Sequence, residues 1–67
     1  MYETEEEIRA KLHTLLEEHR DLDEVIARIE PSAPTDELLL RRLKKRKLLL
    51  KDRIALLEGM LEPDILA

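Results

Sequence analysis

Two runs of residues at alternating four- and three-residue spacing organise this chain. The first is Ile8, Leu12, Leu15, His19, Leu22, Ile26 and Ile29; the second is Leu40, Leu43, Lys47, Leu50, Ile54, Leu57 and Leu61. That spacing keeps one side of a helix turned toward a neighbour, as in a left-handed coiled coil, and it predicts two amphipathic helices. Each run has one polar member, His19 in the first and Lys47 in the second.

Terminal signals bound the two helices. Thr4 and Glu7 have the spacing of a capping box, in which hydroxyl and carboxylate each take the other residue's amide, so helix one is expected over about residues 4–30. Pro31 ends it, because its ring disfavours helical geometry at Glu30. A hinge follows at residues 31–35. Thr35 is the expected cap of helix two, with Asp36 and Glu37 placing negative charge in its first turn. Helix two should span about residues 36–61, weakened near its end by Gly59 and stopped by Pro63. The tail at 62–67, "EPDILA", is short enough to fray; docking in a groove of the bundle or binding a partner are the alternatives.

Helices of nearly equal length joined by a short hinge predict an antiparallel hairpin. Folding the chain about residue 33 pairs Ile26 with Leu40, Leu22 with Leu43, Leu15 with Leu50 and Ile8 with Leu57. His19 and Lys47 then fall at one level. A polar layer inside an apolar seam lowers stability but penalises slipped registers, which would set each polar group against leucine. Lys47 should lean its ammonium toward water or acid, and Glu18 and Asp23 are the carboxylates near enough to complete the layer.

Composition narrows the fold class to all-α. The chain has 67 residues, one Tyr, no Phe or Trp, and 42% charged residues, which suits one small domain of solvated helices with an aliphatic core. Without cysteine, neither a disulfide nor a thiolate metal site can staple it. Chains below about 70–80 residues need such a staple or a partner, since their cores barely offset chain entropy. Helix two carries Leu39, Leu49, Leu56 and Met60 off the seam, and these are the candidate oligomer face. A homodimer forming a four-helix bundle is therefore expected, with a tetramer as the next alternative. An exposed face for a further protein partner also belongs to this reading.

Charge is unevenly distributed. The net charge is -4, yet the eight bases Arg41, Arg42, Lys44, Lys45, Arg46, Lys47, Lys51 and Arg53 all fall within thirteen positions. Antiparallel pairing would set Glu17, Glu18, Asp21, Asp23 and Glu24 level with many of them, so internal pairing and solvation is the preferred explanation. The alternative is a nucleic-acid-binding hairpin using Arg41, Arg42, Lys44, Lys45, Arg46, Lys51 and Arg53. It is disfavoured by the acidic total and by the lack of aromatic platforms for bases.

Candidate chemistry is sparse. His13 and His19 lie on different sides of a helix, and His13 with Glu17 supplies only two ligands, so no metal site is expected. There is no Cys nucleophile, phosphate loop or triad, and a two-helix hairpin is not expected to form a substrate-sized pocket, so neither an enzyme nor a cofactor is expected. No apolar run approaches a membrane span and the N-terminus is acidic, so the chain reads as soluble and cytoplasmic.

The segments "LHTLLEEHRDLDEVIARIE", "LLLRRLKKRKLLLKDRIALLE" and "PDILA" resemble the YdcH-like family of short bacterial proteins, a domain of unknown function. His19, Leu22, Asp23 and Ile26 in helix one and Leu43, Lys44, Lys47, Leu48, Lys51, Asp52 and Ile54 in helix two carry the resemblance. It implies a cytosolic helical hairpin and no catalytic residues.

Overall fold

The computed structural model describes residues 4–32 and 34–61. Helix α1 spans Glu5–Ile29 and helix α2 spans Glu37–Leu61, with a short 3-10 turn at Glu30–Ser32 between them. The described residues contain no strand.

The start of α1 follows from its first residues. The Thr4 hydroxyl accepts from the Glu7 amide at 3.1 Å, and the Thr4 amide donates to Glu7 Oε1 at 2.8 Å, so two otherwise orphaned donors are satisfied. Glu5, Glu6 and Glu7 place carboxylates beside the positive end of the helix dipole.

At the other end the structure corrects the sequence expectation. Glu30 keeps helical dihedrals (φ -51°, ψ -41°), and its amide donates to the Ile26 carbonyl. The chain then tightens through Pro31 instead of breaking before it, because proline's fixed φ suits a 3-10 turn as well as an α-helix. The start of α2 differs as well. Thr35 lies in the turn, while Asp36 directly precedes the helix and its carbonyl accepts from the Leu40 amide at 2.8 Å. Residue 33, about which the chain was expected to fold, and the 62–67 tail with Pro63 lie outside the described residues.

Two ion pairs give the sense of packing. Lys44 meets Glu30 and Lys47 meets Asp23, so partners on α1 descend as those on α2 ascend, and the helices run antiparallel as a hairpin. Every residue of the two spaced runs is buried or half-buried, and Ile8, Ile26 and Ile54 are the buried hydrophobic core.

Gly59 sits within α2, and a Cβ added there would meet nothing within 4 Å. Gly59→Ala should therefore stabilise the last turns by about 0.5 kcal/mol through backbone entropy alone. A thermal melt should rise by a few degrees; a lower midpoint would mean that this end of α2 is covered in solution.

Candidate functional site

One carboxylate joins the two polar residues of the seam. Asp23 lies one helical turn beyond His19, so both project from the same side of α1. Lys47 reaches across from α2, placing its ammonium 2.5 Å from Asp23 Oδ1, while His19 Nδ1 lies 3.9 Å from Asp23 Oδ2. The Asp23 bridge thus connects groups that make no direct bond to each other. The side chains are 26% exposed at His19, 37% at Lys47 and 47% at Asp23, so the layer opens to water on the Asp23 side. A charge this wet needs no compensation by burial of its partner, and the pair contributes at the modest level of exposed ion pairs.

The hydrogen bond from Lys47 holds the Asp23 carboxyl below its ordinary value near 3.8. Partial burial opposes this, and the positive charge of Lys47 and then His19 adds to the lowering. The unfolded chain therefore binds this proton more readily than the folded one. The stabilisation is fully present above about pH 4 and is lost as pH falls through the lower folded value. Asp23→Asn should flatten the acid limb of a melting-temperature profile between about pH 5 and pH 2; an unchanged limb would mean that the bridge does not form.

The basic run is only partly matched inside the fold. Arg41 meets Glu37 of its own helix at 3.7 Å, Lys44 meets Glu30 at 3.1 Å, and Lys47 meets Asp23. Arg42, Lys45, Arg46, Lys51 and Arg53 form no ion pair among the described residues. The expected partners Glu17, Glu18, Asp21 and Glu24 are at suitable heights along α1, but all four are exposed and make no bond to α2. Glu17 instead approaches His13 at 3.6 Å along its own helix.

The hairpin has more relief than was expected of it. On one side, an open groove of about 640 Å³ is lined by Ala10, Lys11, Thr14 and Leu15 of α1 and by Arg53, Leu56, Leu57 and Met60 of α2. It continues toward the hinge along Glu18, Asp21, Leu22 and Val25, facing Arg46 and Leu50. On the opposite side, Ala27, Lys44, Leu48 and Lys51 surround the Asp23 bridge. The candidate oligomer residues Leu39, Leu49, Leu56 and Met60 are all exposed, as are Leu16, Val25, Leu38 and Leu48. Among the described residues no group of three or more His, Cys, Asp or Glu side chains could hold a metal ion, and no helix is long and apolar enough to cross a membrane.

The model of a family described as "Protein of unknown function (DUF465)" matches residues 12–58. The chain belongs to this family. The DUF465 match covers the hinge, the Asp23 bridge, the whole basic run and most of both seams, leaving out the outer ends of the two helices. The YdcH-like resemblance is the same relationship, since that family falls within DUF465. No curated protein and no solved structure matches the chain. The DUF465 description assigns no activity.

Proposed function

We propose that this DUF465 protein is a cytoplasmic, non-enzymatic interaction module that self-associates through its helices, its unit being a dimer that forms a coiled-coil-like four-helix bundle. The observation that carries this reading is the imbalance between what the hairpin covers and what it leaves out. Among the described residues three hydrophobic side chains are buried, whereas eight large ones stand exposed. A core of that size offsets little of the ordering entropy of two long helices, and covering the outer stripe is the available remedy where no disulfide exists. Association that binds only the folded chain raises its apparent stability with concentration. The melting midpoint should therefore climb across roughly a hundredfold range of protein concentration; a constant midpoint would reject self-association.

The second reading is nucleic-acid binding, and the five bases without ion-pair partners among the described residues favour it. Their charge is available to phosphates, although the chain as a whole is acidic and has a single aromatic residue. An electrophoretic mobility shift at low and moderate salt separates the two. The interaction-module reading expects no retarded band at moderate salt, and a band that persists there would favour nucleic acid.

A further inference from the structure

We infer that a second copy of this chain docks on the Ala10–Met60 groove in one specific pose, with α1 of each copy lying antiparallel over α2 of the other about a two-fold axis parallel to the helices. This rests on the self-association proposed above and adds its geometry. The groove runs between the helices on a single face. Its α1 wall follows Ala10, Thr14, Glu18, Asp21 and Val25, and its α2 wall follows Arg46, Arg53, Leu56 and Met60. The spacings on both walls are those of one helical stripe.

Two independent features make this face complementary to itself under that axis and under no other two-fold that pairs it face to face. The first is charge. Helix α1 holds eight acids and four bases, whereas α2 holds three acids and eight bases. Glu18 and Asp21 stand level with Arg46 across the groove, and none of the three forms an ion pair among the described residues. An axis along the helices brings the partner's α1 over α2 at the same level, so Arg46 of each copy meets the acids of the other. An axis across the helices would set α2 against α2 and stack like charges.

The second feature is size. Large Leu56 and Met60 face small Ala10 and Thr14 at the same end of the groove. The same axis seats each copy's large side chains over the other's small ones. Covering Thr14 strands no donor, because its hydroxyl already bonds the Ala10 carbonyl at 3.2 Å. In the resulting bundle every helix is antiparallel to both its neighbours, which favours the helix dipoles.

Charge reversal tests the pose. R46E and D21R should each dimerise about tenfold more weakly than the unaltered chain, because each sets like charges together twice. An equimolar mixture should recover the original affinity in sedimentation velocity, since both contacts in the mixed dimer are then of opposite sign. A mixture no tighter than its components would overturn the pose, as would an R46E chain that dimerises more tightly, which is the mark of α2 packed on α2. An unaltered chain that stays monomeric would instead remove the self-association on which the pose depends. Should either reversal lose helical circular dichroism, single-cysteine chains T14C and L56C answer the same question. On mixing they should form the hetero-disulfide in preference to either homo-disulfide, and dominance of the L56C homo-disulfide would overturn the pose.

Discussion

Ile54→Ala should destabilise the fold by about 2–4 kcal/mol, lowering the melting midpoint by more than about 10 °C. Ile54 is the buried hydrophobic residue of α2, facing a core to which α1 contributes Ile8 and Ile26. Removing three of its carbons loses their transfer free energy and opens a void that two rigid helices close only in part. A fold of this size has little reserve from which to absorb such a loss. Leu48→Ala is the informative control. Leu48 lies six residues earlier on α2, is 62% exposed and stands on the side away from the proposed dimer groove, so its truncation should cost less than about 0.5 kcal/mol. If Ile54→Ala moves the midpoint by only a few degrees, the core does not lie where the hairpin places it.

Replacing His19 and Lys47 together with leucine should raise the melting temperature by roughly 5–15 °C while broadening the distribution of oligomers. Each leucine would add apolar surface to a seam that is otherwise aliphatic, at up to about 1.5–3 kcal/mol for full burial and less at these half-exposed positions. The loss on the other side is an ion pair with a half-exposed carboxylate, which contributes little in water. Asp23 can remain solvated without its partner, so no buried charge is stranded. With the polar layer gone, slipped registers and other assemblies are no longer penalised. A double variant that melts lower than the unaltered chain would mean that the layer contributes net stability.

Most of the fold was legible because helix-on-helix packing is written in spacing. The alternating three and four steps from Ile8 to Ile29 and from Leu40 to Leu61 coincide with the residues that are not fully exposed, with Asp23 and Asp36 as the additions. Asp23 lies beside the seam and not in it, and its distance of one turn from His19 is the signal that marks it, with Glu18, as a carboxylate near enough to complete the polar layer. The structure brings Asp23 to Lys47 and His19. The helix ends were less legible. Thr35 and Asp36 are adjacent residues with similar capping chemistry, and sequence alone does not choose between them. Pro31 was read as a break, although its φ also fits a tight turn that continues the helix path. The internal charge matching was overestimated for a geometric reason. Position along the chain gives height on a helix, so Glu17 and Glu24 come level with the bases, but their direction around α1 turns them away from α2, while Glu18 and Asp21 line the groove opposite Arg46 without bonding to it.

That same geometry gives the outer faces their interest. Arg46, Glu18 and Asp21, which form no ion pair among the described residues, and the exposed leucine stripe are the groups that the proposed dimer would pair between copies. The most direct test is the mass of the unaltered protein in solution by light scattering at micromolar concentration. A value of twice the 7.9 kDa chain mass is the predicted result, and 7.9 kDa with helicity intact would contradict the account.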